Sequence, residues 1–403
     1  MHSVRKITDD LYFLGVDERR LHLFENIHPI ARGVSYNSYL LMDEKTVLFD
    51  TADWAVCRQY LENIEYVLGD RSLDYLVVNH MEPDHAASLQ QVLIAHPEVQ
   101  VISTEKAFGY MNQFGYDIGE RGITVTEGDT MSFGKHTIAF VLAPMVHWPE
   151  AMVSFDLTDG TLFAADAFGS FGALNGALFN DEVNFDRDWI DDARRYYTNI
   201  VGKYGPHVQL LLGKASGLPI KLICPLHGPV WRSEFGYILD KYNRWSSYTP
   251  ETKGVLIVYG SMYGNTEAAA VELASQLIQG GLLNVKVFDV SSTHVSELIA
   301  YAFQYSHIVL ASVTYNLGIY PPMHNFLMDM KALNLQKRTV AIMENGSWAC
   351  VSGKLMQKEL DEMKEMTILN EQMTILSSVN EANAGAIPAM AEALIDSVAA
   401  TEI

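Results

Sequence analysis

The chain is 403 residues long, room for two or three domains each with its own core, and its 49% apolar and 11% aromatic content is that of a globular protein. Its 49 acidic residues against 28 basic ones give a formal net charge of −21, which makes nucleic acid and anionic membrane surfaces poor partners. The three cysteines, Cys57, Cys224 and Cys350, are too far apart to suggest a disulfide framework, and no run approaches the length of a bilayer span.

Residues 1–6 lack the apolar core of a secretion signal, so a reducing, cytoplasmic setting is expected. In chain order, strand-length apolar runs fall at 11–16, 39–42, 46–49, 75–78 and 99–103, then at 136–142, 152–157 and 161–165. The stretch 24–34 reads as a surface connection, with a contribution to a site as the weaker reading. Residues 188–203 read as a helix with acidic residues in its first turn. A linker is expected at 246–253, where Ser, Thr, Pro and charge break the pattern. Beyond it, strands at 255–260, 307–310 and 339–343 alternate with helical stretches, the sign of a parallel, doubly wound sheet. The Ala-, Met- and Leu-rich tail 383–399 forms the last helix, and the chain shows no internal repeat. The expected domains are 1–249 and 250–403.

The densest chemistry is His80-Met81-Glu82-Pro83-Asp84-His85, directly after the run 75–78. A strand ending in such a loop aims several ligands at one point. Imidazoles mixed with carboxylates suit iron, zinc or manganese, and carboxylates favour the harder ions. The competing reading is a solvated polar loop. Three further candidates each follow an apolar run: His147 after 136–142, Asp166 after 161–165, and His227 after 222–223. Singly, a histidine at a strand end is more often structural. In this order the four features reinforce one another.

A second pattern begins after the strand at 255–260. Ser261-Met262-Tyr263-Gly264-Asn265-Thr266 leads into a helical stretch carrying Ala269, Leu273, Leu277 and Ile278 on one face. A strand, a turn of small residues and a helix start together make an anion cradle of backbone N–H groups and hydroxyls. There is neither the Gly-Lys-Ser/Thr ending of a nucleoside-triphosphate loop nor the three-glycine dinucleotide spacing. The loop resembles the phosphate loop of flavodoxins, which holds the monophosphate of FMN. Ser312-Val313-Thr314-Tyr315-Asn316, with Gly318, follows the strand at 307–310, and Asn345-Gly346-Ser347-Trp348 follows 339–343. Both fall at the carboxyl ends of parallel strands, where open α/β sheets bind ligands. Tyr315 and Trp348 offer aromatic faces to an isoalloxazine ring, against core packing as the alternative.

The metal-ligand pattern resembles the metallo-β-lactamase superfamily, with Glu82 where the hydrolases carry a second histidine. That exchange adds charge and a harder oxygen donor, moving the site from zinc towards iron. A metallo-β-lactamase-like αββα sandwich followed by a flavodoxin-like doubly wound parallel sheet resembles the flavodiiron proteins over essentially the whole chain. The resemblance implies that His80, Glu82 and His147 hold one iron, that Asp84, His85 and His227 hold the other, and that Asp166 bridges them. Paired metals in such sites lie roughly 3.5–4 Å apart. It implies FMN as second cofactor, reduction of dioxygen to water or nitric oxide to nitrous oxide, and no catalytic group beyond the metal ligands. It also implies a head-to-tail homodimer, or a dimer of dimers. The chain ends at Ile403 without a Cys-x-x-Cys pair, so an external donor such as a rubredoxin is expected. Two other classes compete. A di-zinc hydrolase would need Glu82 and the flavin-type loops to be incidental, and a pure electron carrier would need an inactive metal site although every ligand type is present.

Overall fold

The computed structural model describes residues 2–403. The chain forms two compact units: Met1–Tyr197 with Pro206–Tyr242, and Thr198–Gly205 with Asn243–Ile403.

The first unit is built on two sheets. One has seven strands, in the order Arg5–Lys6, Leu11–Phe13, Tyr39–Met42, Thr46–Phe49, Tyr75–Val77, Gln100–Ser103 and Gly122–Thr124. The other has five, Thr130–Ser132, Thr137–Leu142, Met152–Asp156, Thr161–Phe163 and Leu222–Cys224. Their inner faces meet through aromatic side chains. Phe49 of the first sheet stacks on Phe163 of the second with centroids 3.7 Å apart, and Tyr39 meets the same ring edge-on at 5.8 Å. Helices pack on the outside; Cys57–Leu68 turns Tyr60, Ile64 and Leu68 inward at helical spacing.

The strands fall where the apolar runs place them, with local differences. The run 11–16 divides into Leu11–Phe13 and Val16–Glu18 around Gly15, where an added Cβ would lie 2.4 Å from the Phe13 ring. The run 161–165 ends at Phe163, and Ala165 adopts a left-handed φ of 49° that swings the chain off the sheet. The single helix expected at 188–203 is instead three pieces. Ile190–Tyr196 carries Asp191 and Asp192 in its first turn, then Tyr197–Val201 widens to a π-helix and Gly202–Tyr204 tightens to a 3-10 turn. Such a change of pitch frees carbonyls from their helical partners, and the Tyr248 hydroxyl donates to that of Gly202 at 3.0 Å.

In the second unit one parallel sheet runs, by chain order of its main strands, 2-1-3-4-5: Val285–Asp289, Thr252–Gly260, Tyr305–Tyr315, Thr339–Gly346 and Thr367–Ile368. That is the flavodoxin-type order of a doubly wound sheet. Strand Thr252–Gly260 begins inside the expected linker, because Thr252 already pairs with Tyr305. Alternate residues feed two cores. Leu256, Val258, Ile308, Leu310, Val340 and Ile342 face one way, and Val255, Ile257, Val309, Ala341 and Met343 the other. Buried Arg338 ties the layers together. Its guanidinium donates to the carbonyls of Ala302, Phe303, Tyr248 and Gln336, two of them at the open C-terminal end of helix Val295–Gln304. Among the described residues no helix is long and apolar enough to cross a membrane.

His307 lies wholly buried in the central strand, its ring bonded to Ser306 Oγ at 2.8 Å and Ser397 Oγ at 2.9 Å. Burial pushes its pKa down to about 4. A histidine kept neutral by folding adds stability that is complete above the unfolded pKa of about 6.5 and disappears as pH falls towards 4. Urea titrations at pH 7 and pH 4.5 are expected to show the wild type losing about 2–3 kcal/mol more than His307→Asn across that interval. Equal losses would mean that the histidine is protonated without cost.

Candidate metal centre and cofactor pocket

The seven residues singled out as ligands come from four loops at one end of the paired sheets, and the fold brings all seven together. Loop 78–82 is fixed first. Buried Asp50 accepts from Asn79 N at 2.7 Å, Asn79 Nδ2 at 2.8 Å and His80 N at 3.2 Å, and Ser154 Oγ donates to Asn79 Oδ1 at 2.6 Å. Burial raises the Asp50 pKa to about 6 against these hydrogen bonds. Pro83 then starts the one-turn helix Pro83–Ala86, which turns Asp84 and His85 away from His80 and Glu82. On the far side, Tyr39 Oη donates to Pro225 O and Asn37 Nδ2 to Pro225 O and Gly228 O, which clamps the loop that carries His227.

Two sets result: His80, Glu82, His147 and Asp166 converge on one point, and Asp84, His85 and His227 on another, with ligand atoms in each set within 4.8 Å of one another. Asp166 connects them. Its Oδ2 lies 3.2 Å from His80 Nε2 and 3.3 Å from His147 Nε2, while its Oδ1 lies 3.2 Å from His85 Nε2 and 3.8 Å from His227 Nε2. Glu82 Oε2 is 2.9 Å from His147 Nε2, and Asp84 Oδ2 is 3.1 Å from His227 Nε2.

This geometry calls for cations. Both oxygens of Asp84 and of Asp166 are buried without a well-formed hydrogen bond, and a buried carboxylate left so is costly. His227 Nδ1 donates to Ser35 O at 2.8 Å, and its Nε2 lies only 3.0 Å from His85 Nε2. Two nitrogens at that distance need a proton or a metal between them. The carboxylates compete for either. Burial pulls His85 and His147 down, yet Asp84 and Asp166 beside the one, and Asp166 and Glu82 beside the other, hold both up to about 9. The imidazole–carboxylate set fits iron, zinc or manganese.

Several contributing residues escape a reading of the sequence. Buried Glu150 accepts from His80 Nδ1 at 2.9 Å, and its position three residues after His147 was the available signal. The stretch 24–34 is more than a surface connection. Phe24 packs edge-on against His227 and against Phe171, each at 5.4 Å, because its buried ring needs an apolar neighbour. Tyr36 and Tyr196 face the same imidazole at 5.8 and 5.3 Å, and Trp148 meets His80 at 5.4 Å. Glu25, at the tip of that stretch, has its carboxyl pushed up to about 8 by burial and by a hydrogen bond with Glu82.

In the second unit the three loops expected to bind a cofactor line one cavity of about 420 Å³, within the usual size of small-molecule sites. Its walls include Ser261, Met262, Tyr263, Asn265, Thr266, Val313, Thr314, Tyr315, Asn316, Asn345, Gly346, Ser347 and Trp348, joined by Leu317, Ala349 and Ser377. Gly264, at φ 87°, caps helix Asn265–Gln279, whose first two residues line the cavity. Ser312 lies buried beneath the floor and Gly318 pairs with Tyr315 in a β-hairpin. Asn345 Nδ2 donates to Thr266 Oγ1 at 3.2 Å, linking the first loop to the third. Trp348 and Tyr263 stand almost fully exposed at the rim, 91% and 88%.

Comparison with known proteins agrees with this architecture. A family model described as the ODP family beta lactamase matches residues 34–228, a span that contains all seven candidate ligands. A protein of Moorella thermoacetica named nitric oxide reductase is 30% identical over 361 residues, covering 89% of this chain and 90% of its own. The structure of the rubredoxin oxygen:oxidoreductase of the anaerobe Desulfovibrio gigas superimposes with a TM-score of 0.91 at 27% identity and 99% coverage of both chains. The flavodiiron protein of Giardia intestinalis shares the fold at a TM-score of 0.91, 24% identity and coverage of 99% of this chain and 97% of that one. By sequence and by fold, the chain belongs to the flavodiiron protein family.

Proposed function

We propose that this flavodiiron protein is an oxidoreductase that reduces dioxygen to water, nitric oxide to nitrous oxide, or both, at a non-haem di-iron centre fed through FMN by an external donor. The observation that carries the reading is the seating of Asp166, one buried carboxylate with an oxygen turned to each histidine set. His80, Glu82 and His147 are assigned to one iron, Asp84, His85 and His227 to the other, and Asp166 to both. FMN is assigned to the 420 Å³ cavity, with its phosphate at the 261–266 loop. Residues 1–249 are taken as the di-iron domain and 250–403 as the flavin domain. The names of the Moorella and Desulfovibrio relatives, a nitric oxide reductase and a rubredoxin oxygen:oxidoreductase, support the two substrates and a rubredoxin-type donor. A head-to-tail homodimer, alone or paired, in the cytoplasm completes the reading.

FMN in the cavity would supply one-electron transfer, and an iron pair held by the seven residues would supply two electrons together for a small diatomic substrate. The protein's part is positioning and charge. Four imidazoles would donate to the metals through Nε2, with His80 and His227 fixed by partners on Nδ1. Glu82, Asp84 and Asp166 offset the cationic charge. Phe24, Tyr36 and Tyr196 surround His227 with rings. A zinc hydrolase of the same fold gains no support from Glu82, from the flavin-type cavity or from the relatives.

The test is gas consumption by the reduced, iron- and FMN-loaded protein, comparing dioxygen and nitric oxide under one donor supply. Turnover of at least one gas is expected. Asp166→Ala is expected to lower it by more than the roughly 10–100-fold typical of losing a residue behind a ligand, with less than two irons retained per chain. Consumption of neither gas, with hydrolysis of a thioester or phosphoester by the zinc-loaded form, would reverse the assignment. In the cavity, Thr266→Val removes one hydroxyl at the helix start while keeping the shape. It is expected to weaken FMN binding about tenfold, or ~1.4 kcal/mol, measured by flavin fluorescence quenching, and to leave iron content unchanged. Undiminished affinity would move the phosphate elsewhere.

A further inference from the structure

Glu150 is a carboxylate outside the candidate ligand set that meets one of its imidazoles, His80, from behind. Its side chain is inaccessible to solvent. Oε1 accepts two hydrogen bonds, from His80 Nδ1 at 2.9 Å and from Met81 N at 3.0 Å, while Oε2 is buried with no partner. A buried anion half satisfied in this way needs positive charge nearby, and what lies beyond Oε1 is the His80 ring and then the metal position. The other imidazoles lack this backing. His227 Nδ1 faces a neutral carbonyl, that of Ser35, and His85 Nδ1 has no hydrogen-bond partner. The ion pairs of His147 run through Nε2 alone.

The terminal ligands make the two metal positions nearly equal, two imidazoles and one carboxylate each, with Asp166 shared. Glu150 breaks that balance. We infer that Glu150 is a positioning residue that locks His80 in its Nδ1–H form and lends it negative charge, so that the His80–Glu82–His147 position binds the more highly charged iron. A carboxylate on the far nitrogen raises the basicity of the ligating one, and a more basic ligand favours iron(III) over iron(II). When the reduced pair loses one electron to an added oxidant such as ferricyanide, which becomes ferrocyanide, the iron at the His80 position is the one that gives it up. This inference rests on the di-iron reading above.

Glu150→Gln tests it. Met81 N and His80 Nδ1 both donate to Oε1, so the amide oxygen takes that place and the NH2 falls at the unpartnered Oε2 position; shape and hydrogen bond persist and only the charge goes. In the iron- and FMN-loaded protein, the variant is expected to keep two irons per chain. Its preference for iron(III) over iron(II) at one position should fall about tenfold, read as a rise of about 59 mV in one of the two iron midpoint potentials in a spectroelectrochemical titration. Glu150→Ala, which also frees the ring, is expected to weaken retention of one iron by roughly 10–100-fold against a chelator. A merely structural glutamate predicts unchanged potentials in Glu150→Gln, and that result overturns the inference while leaving the di-iron reading intact. Wild-type protein that cannot hold two irons sinks the reading itself. Should Glu150→Gln not fold, Glu150→Asp takes its place. It withdraws the charge by one methylene and should move the same potential upward by less, and an unmoved potential again counts against the proposal.

Discussion

The first unit is organised around an electrostatic problem: the Asp166 carboxylate sits 1% exposed among four imidazoles and two further carboxylates, with no well-formed hydrogen bond of its own. Such a group opposes folding unless cations accompany it. The surrounding structure is correspondingly overbuilt. The stacked Phe49–Phe163 pair, the aromatic contacts of Tyr39 and the fully buried strand Thr46–Phe49 supply apolar burial directly beneath the loops that carry charge. Neither sheet could hold the cluster alone, because His80 to His85 follow a strand of the first sheet while His147, Asp166 and His227 follow strands of the second.

Some of the left-handed backbone of the chain lies at the same end. Asp50, Met145 and Ala165 all adopt left-handed φ values of 54°, 65° and 49°, a conformation that side chains with a Cβ avoid. Each lies where it redirects a ligand. Asp50 carries the carboxylate that fixes the His80 loop, Met145 lies two residues before His147, and Ala165 directly precedes Asp166. A chain tolerates such angles only where its surroundings over-determine them. The hydrogen bonds from Asn79 to Asp50 and from Leu226 N to Ala165 O do that here.

This division explains what could be read in advance. Strands announce themselves through apolar runs, so the two-sheet unit and the parallel sheet were legible, and residues in the loops after strands were legible as candidate ligands. Glu150 was not, because its function depends on a loop meeting His80, which lies 70 positions away in sequence. Phe24 was not either, since nothing local distinguishes a ring that covers a histidine from one on a surface turn. The helix expected at 188–203 has the right polarity at its start. Its break at Tyr197–Val201 is set by Tyr248, which donates to Gly202 O from far along the chain. Period and propensity describe neighbours in sequence, and these features belong to neighbours in space.

The second unit solves a different problem by other means. Among the described residues no lysine, arginine or histidine lines its cavity; the walls carry hydroxyls, amides, aromatic rings and the start of helix Asn265–Gln279. For an anionic phosphate this leaves backbone N–H groups, the helix dipole and the hydroxyls of Ser261 and Thr266. In a chain of net charge −21, that choice has a consequence. An exposed lysine would be screened by salt and drawn to the nearest carboxylate, whereas fixed amides and hydroxyls hold their direction whatever the surrounding charge. The two units therefore solve charge differently: buried carboxylates and imidazoles at the proposed metal centre, and neutral, pre-oriented dipoles at the proposed seat of an anionic cofactor in an acidic protein.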